Sequence, residues 1–474
     1  MPKLVLLWTD GCLWAIVAAA LFYVRHVLAT PNLRRSWRRV FTAPVACSAA
    51  IILSVFLFAG LLDSVHFRLR LDARAYATES QSLLDLGLAP LVASREISYS
   101  APLAWHAVQK EAITVNGQVE RRAPRLHYGG ARLIVPQADW LPDVLSRALV
   151  GALLGMLAGL ALFWICAASR ANLNAAGIRE SLQEMRSGKS DMPWTAIFWT
   201  LIGLSCLIGC ITMLARGYHV FGTDQTGNDV LYQVLKSIRT AIVMGSLTTA
   251  AILPAALVLG ILAGYLQGWV DDLIQYFYTA ISSIPSVLLI AACVLLIQVY
   301  IDKNPGLFQT GLERADIKLL FLCLIVGITE FATMCRLIRG ETLKLRELDY
   351  VQAAQAFGAA PFAIMRRHIV PNVMHIVIIT VVLEFSGIVL YEAVLSYVGV
   401  GVDPSTNSFG TMINLARSEM ARDPVIWWNL ATAFIFMLVL VLAVNLFADG
   451  VRDAFDPRAR LFRIRTRGRL AETS

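Results

Sequence analysis

Runs of about twenty predominantly apolar residues recur along the whole chain, separated by short stretches rich in Arg and Lys. A run of that length matches the hydrocarbon thickness of a bilayer when helical. Nine such runs are predicted, near 5–27, 44–63, 143–167, 194–214, 241–264, 273–299, 317–337, 373–398 and 426–448. The first is also long enough to serve as a signal peptide. Its leading segment carries only Lys3, Asp10 interrupts it and Arg25-His26 follow it, so a retained helix is expected. Between the second and third runs the pattern changes. Residues 64–140 alternate short polar and apolar pieces, as in "AITVNGQVERR", and Asn116-Gly117 is a hairpin-turn pair. That segment is expected to form a small, partly β external unit.

Composition agrees with this pattern. The 474 residues are 57% hydrophobic and 16% charged, with mean hydropathy +0.63. So few charges could not cover that apolar surface in water, and a polytopic membrane protein follows. The net charge of +8 does not point to nucleic acid, because the basic residues cluster beside apolar runs. Arg34, Arg35, Arg38 and Arg39 follow the first run, and Arg170, Arg179, Arg186 and Lys189 follow the third. Arg336, Arg339, Lys344, Arg346, Arg366 and Arg367 lie around the loop after the seventh, and Arg452 to Arg469 fill the tail. With nine alternating spans these four regions share one side. By the positive-inside rule that side is the cytoplasm, the N-terminus is outside, and so is segment 64–140.

Reactive constellations are sparse. The eight cysteines (Cys12, Cys47, Cys166, Cys206, Cys210, Cys293, Cys323, Cys335) fall in or beside apolar runs with no CxxC spacing, as apolar packing residues do. No HExxH or GxSxG occurs. Gly188-Lys189-Ser190 resembles the end of a phosphate loop, but Gln183 stands where its first glycine belongs. The chain is therefore expected to be no enzyme and to hold no metal or cofactor. Ionisable residues inside spans are costly and become candidates for function. Glu330, Glu384 and Glu392 qualify, and Glu384, the deepest, is the candidate for a translocation path. Glycines at four-residue spacing (151, 155, 159 and 260, 264, 268) predict close helix packing.

One cytoplasmic stretch stands apart, "DYVQAAQAFGAAPFAIMRRHIVPN", Asp349 to Asn372. Asp349 is expected as an N-cap with Gln352 completing a capping box. Tyr350, Ala353, Ala354 and Phe357 fall at i, i+3, i+4 and i+7 and predict one apolar face. Gly358 is placed to end the helix in the left-handed region, and Pro361 to open a second one. Pro371 is expected to break the chain before the next span. Periodicity alone also permits a loop folded back on its own helices.

This stretch resembles the EAA loop of binding-protein-dependent ABC importer permeases. The match runs Gln352-Ala353-Ala354, then Gly358, then Ile369-Val370-Pro371, with Gln352 for the usual Glu and Val370 for Leu. Three further segments resemble the C-type permease of dipeptide, oligopeptide and nickel importers. They are His219 to Gly245, which carries Gly222, Thr223, Asp224, Gly227 and Asp229 with Asn228 in place of Arg, then Tyr391 to Ile413, and Asn445 to Arg460. The resemblance implies an all-α polytopic fold: a six-helix permease core at 191–474 with a coupling loop at 341–371 and a basic tail at 450–474. Extension 1–190, with about three more helices and the external segment, has no counterpart. It implies an inner-membrane permease subunit that pairs with a second permease, docks two ATPase subunits carrying ATP and Mg, and receives cargo from a periplasmic or lipid-anchored binding protein. Peptides are the implied cargo, with nickel or another small solute as the alternative. A membrane enzyme built on 64–140, or a sensory or scaffold relative without transport, are the other classes weighed.

Overall fold

The computed structural model describes residues 3–70, 80–115, 118–174, 192–308 and 310–455. The Asn116-Gly117 turn, the 179–190 basic residues with Gly188-Lys189-Ser190, and the tail after Phe455 lie outside them. Among the described residues, nine helices are long and apolar enough to cross a bilayer. In chain order the helices are α1 (Trp8–Ala29), α2 (Pro31–Val40), α3 (Pro44–Asp63), α4 (Leu83–Gly87), α5 (Ala89–Ala93), α6 (Pro136–Asn174), α7 (Trp194–Ala215) and α8 (Val230–Leu266). They continue as α9 (Gly268–Ser282), α10 (Ser286–Lys303), α11 (Gly311–Arg346), α12 (Asp349–Ala356), α13 (Pro361–Ile364), α14 (Val370–Val398), α15 (Phe409–Glu419) and α16 (Trp428–Phe455).

The core lies where α8 and α11 run side by side, with α14 and α16 against them. Ile252, Ala256, Val326, Met334, Ile338, Val389 and Leu440 are buried there. Small residues set the approach: a Cβ on Gly260 would lie 2.8 Å from the Ile338 Cβ, and one on Gly264 2.8 Å from the Arg339 carbonyl. In α6, Gly151 lies against the Gly209 carbonyl and Gly155 against that of Ser205, which makes α6 and α7 a tight pair. Gly268 departs from the expected packing row, because it stands at φ +58° with nothing near its Cβ position. Outer faces such as Trp199, Leu296 and Leu153 are exposed, as side chains facing lipid are.

The run expected as one helix over 273–299 is two helices. α9 ends at Ser282 and α10 starts at Ser286, with Pro285 between them, since a proline there removes a donor and clashes with the preceding turn. At the next proline the reverse holds. Pro371 does not break the chain: α13 continues through a π-turn (Met365–Ile369) into α14. The wider turn takes up the proline where its ring would meet the preceding carbonyl.

The β structure is small. β1 (Lys3–Val5), β2 (His66–Arg68) and β3 (Gln81–Ser82) form an antiparallel sheet in that order, which ties the start of α1 to the end of α3. β4 (Glu111–Val115) and β5 (Gln118–Arg122) pair as an antiparallel hairpin. β2 to β5 belong to the segment expected to be partly β, whereas β1 precedes α1.

Candidate functional site

The stretch after α11 projects as a short knob. α12 starts at Asp349, and Leu348 is its N-cap without a side-chain hydrogen bond, so Asp349 is the first helical residue and not the cap. Gln352 turns back to Glu347, its Nε2 donating to the Glu347 carbonyl at 3.4 Å, and the capping box does not form. The buried face also differs from expectation. Val351 is fully buried and Ala354 half-buried, whereas Tyr350, Ala353 and Phe357 face outward. Phe357 is 91% exposed and Phe362 71%. Gly358 sits at φ +77°, its N–H reaching the Gln355 carbonyl (2.9 Å) and that of Ala359 the Ala354 carbonyl (3.1 Å). This pair of bonds is a Schellman ending, which needs a residue free to enter the left-handed region. Pro361 opens α13, and Ile369 is buried beneath it. Two contacts hold the knob on the bundle, Gln355 Nε2 to Tyr265 Oη (3.0 Å) and Asn372 Nδ2 to Tyr350 Oη (3.1 Å), while the two-pronged Arg339–Asp271 pair (both 2.6 Å) joins α11 to α9. An aromatic this exposed on an anchored, capped helix can fill a groove on another protein.

At the opposite end of α8 the loop 219–229 is clasped by the external segment. Asp229 caps α8, accepting from the Leu231 N–H (2.8 Å), and also pairs with His219 Nδ1 (2.7 Å). His219 Nε2 faces Glu96 at 3.5 Å, an ion-pair distance. Glu96 further accepts from the N–H groups of His127, Tyr128 and Gly129. Burial works against both charges. The His219 bond and those three N–H groups nonetheless bring Glu96 down to about 2, and Asp229 and Glu96 raise His219 to about 9. Thr223 Oγ1 accepts from the Ser100 N–H (2.7 Å), and Trp428 Nε1 donates to the Thr223 carbonyl (3.0 Å). Gly222 and Gly227 have positive φ, and the Glu96 carbonyl fills the space where a Gly227 Cβ would be. Asp224 closes the loop by accepting from the N–H groups of Thr226 and Asn228 (2.8 Å each). Asn228 donates to Thr226 Oγ1 (2.7 Å), so it serves the loop's own geometry.

The three membrane glutamates separate into two kinds. Glu392 is buried and hydrogen-bonded by Ser396 (2.7 Å), within the α14–α15 packing. Glu330 on α11 and Glu384 on α14 are both half-buried. Ser286 accepts from the Tyr391 hydroxyl at 2.9 Å. Arg336, on the same helix as Glu330, donates to the Ala332 carbonyl and lies over the Tyr278 ring. Among the described residues no group of three His, Cys, Asp or Glu is placed to hold a metal ion.

One constellation was not anticipated. Arg239, buried near the start of α8, donates to Asp10 of α1 and Asp316 of α11, and His66 Nδ1 meets the same Asp10 at 2.9 Å. Lys236 bridges Asp63 (2.7 Å) and Asp85 (3.0 Å) alongside. Asp63, His66, Lys236, Arg239 and Asp316 border a cavity of about 340 Å³. The signal was present, since Asp10, Arg239 and Asp316 all sit in or beside apolar runs and the rule applied to the glutamates covers them equally.

Comparison with known proteins gives the family. The sequence pattern of the family described as "Binding-protein-dependent transport system inner membrane component" matches residues 256–461. The chain is 29% identical over 245 residues to the oligopeptide transport system permease protein OppC of Haemophilus influenzae, covering 52% of this chain and 72% of that one. It is 30% identical over 244 residues to the glutathione transport system permease protein GsiD of Pectobacterium atrosepticum (51% and 73%). It is 32% identical over 241 residues to the di/tripeptide transport system permease protein DppC of Pseudomonas aeruginosa (51% and 73%). Among solved structures, an inward-facing form of the MetNI methionine ABC transporter aligns with 48% of this chain and 98% of its own, at 16% identity and a TM-score of 0.36.

Proposed function

The chain belongs to the family of binding-protein-dependent transport system inner membrane components, and from that premise we propose how it works as a peptide importer's permease subunit. It pairs with a second permease, and two ATPase subunits bind ATP and Mg beneath the pair. A binding protein delivers peptide on the far side. The knob at 349–371 faces the cytoplasm with the C-terminus, and the sheet, the hairpin and the 219–229 loop face outward.

The exposed Phe357 carries this reading. It stands on a capped helix whose inner face, Val351 and Ala354, is seated on the bundle, so its outer face is free to enter a groove of an ATPase subunit. Filling such a groove with Phe357 contributes about 1.5–3 kcal/mol. The knob runs from the end of α11 through α12, α13 and the π-turn into α14, so movement of a docked ATPase is passed to both. ATP binding favours one arrangement of these helices only through contacts that differ between the two states. Cargo then passes between the permeases, with Glu384 and Glu330 bordering the path, by rocking around a site near the midplane.

The test is ATP-dependent uptake of a labelled tripeptide by vesicles holding the assembled importer, with ATPase co-purification measured in parallel. Phe357→Asp is expected to lose both while the chain still inserts. Unchanged co-purification in that variant refutes the docking face.

A further inference from the structure

Helix α2 takes no part in the knob, the outer loop or the membrane carboxylates. Only Thr30 separates it from α1, and α3 starts four residues after its end, so it is tied to crossing helices at both ends and lies at the membrane surface. Its ten residues divide into two faces. Ser36 and Val40 are buried and Trp37 half-buried, against Val451, Ala454 and Phe455 at the end of α16. The Trp37 ring meets Phe455 edge-on at 5.5 Å, and its Nε1 donates to the Tyr23 hydroxyl (3.2 Å). On the opposite side Arg34 and Arg38, with Arg35 and Arg39, form two adjacent i, i+4 rows, and all four are exposed.

Like charges at that spacing repel and weaken a helix. The chain offers little relief, for no Asp or Glu occurs between Asp10 and Asp63. Among the described residues Arg34, Arg35 and Arg39 have no side-chain hydrogen bond or ion pair. For these three arginines the described residues supply no counter-charge, and at a membrane surface the phosphates of anionic lipids offer one. Guanidinium groups suit phosphate oxygens in particular, because their paired donors match that geometry. We propose that α2 is a binding surface for anionic phospholipid headgroups, held through Arg34, Arg35 and Arg39. Bound lipid steadies α2 and, through Val40 and Trp37, the adjoining end of α16.

The experiment uses the full chain, purified with the subunits that accompany it, delipidated, and titrated with dioleoyl-phosphatidylglycerol or dioleoyl-phosphatidylcholine under native mass spectrometry. Each arginine is worth roughly fivefold in affinity for an anionic surface. Arg34→Gln with Arg35→Gln is expected to weaken phosphatidylglycerol binding at least tenfold and leave phosphatidylcholine binding unchanged. The corresponding lysine pair is expected to retain most of it. Should the glutamine pair fail to insert, raised salt applied to the unaltered complex gives the same reading, since exposed charge pairs are screened. Equal affinity for the two lipids, or no change with either the glutamine pair or salt, overturns the proposal. Loss of an accompanying subunit from the glutamine pair with phosphatidylglycerol binding intact overturns it too, and assigns the stripe to a protein partner.

Discussion

Arg239 of α8 and Asp10 of α1 are joined as a buried ion pair between residues 229 apart in sequence. Arg239 donates from Nε (3.0 Å) and Nη2 (2.6 Å) to one carboxylate oxygen of Asp10, which has no solvent exposure. Asp10 lies in the extension and Arg239 in the segment that resembles the permease core. Asp316 of α11 takes a second contact at 3.3 Å, so the guanidinium bridges α1, α8 and α11. Breaking a buried pair leaves a charge uncompensated and costs about 3–5 kcal/mol. Asp10→Ala is expected at the lower end of that range because Asp316 remains. A fall in the thermal unfolding midpoint of the purified chain, with Asp10→Asn in between, is the check; a midpoint equal to wild type would mean α1 contributes nothing to the core.

The clasp of His219 by Asp229 and Glu96 gives the outer loop a pH window. His219 is raised to about 9, so the stability it adds is complete below its unfolded value near 6.5 and disappears as pH rises through 9. Glu96 is lowered to about 2, so its contribution is complete above its unfolded value near 4.5 and disappears as pH falls through 2. The clasp is tightest between about pH 4.5 and 6.5. Protease sensitivity of the 80–135 segment is expected to rise between pH 7 and 9 in wild type. His219→Gln is expected to be sensitive throughout and flat over that range. A wild-type profile as flat as the variant's would exclude the clasp as its source.

The sequence revealed some levels of this structure and not others. Spans were legible because length and apolarity are local properties, and eight of the nine expected runs each lie on one long helix. The exception, 273–299, failed at Pro285, where one residue outweighs a continuous apolar run. Of the knob, the ending at Gly358 was legible because left-handed backbone selects glycine. Its buried face was not, because Val351 and Tyr350 are both apolar enough to fill either side and only the tertiary contacts choose. The Arg239 cluster was illegible as a cluster because Thr9 and Asp316 are 307 residues apart and Asp10 and Arg239 229 apart. Periodicity carries no information over such separations.

Gly358 isolates the knob's backbone from its contacts. Nothing lies within 4 Å of its Cβ position, so a substitution meets no clash there, and its cost comes from φ +77° alone. A β-branched residue in that region costs on the order of 1–2 kcal/mol, enough to unwind two turns of helix that are not stable by themselves. Gly358→Val is expected to abolish uptake with normal insertion and an unchanged unfolding midpoint of the span bundle. Gly358→Asn, which tolerates the left-handed region, is expected to keep most of the activity. Equal activity of the two variants would show that the ending is not what holds Phe357 in place.

Glu330 and Glu384 lie on the two helices that the knob joins, α11 and α14. A displacement of the knob therefore changes the spacing between two carboxylates as well as the width of the gap between helices. A cation passing within about 8 Å of one of them is favoured by roughly 2 kcal/mol at an effective dielectric of about 20, whereas a neutral solute is indifferent. Glu384→Gln keeps the shape and removes the charge. It is expected to lower uptake of a lysine-containing tripeptide roughly tenfold relative to an alanine tripeptide, with ATPase co-purification unaffected. The comparison of two cargoes in one variant separates a path-lining charge from general damage, because damage lowers both rates together. Parallel loss of both would remove Glu384 from the path and leave it a packing residue like Glu392.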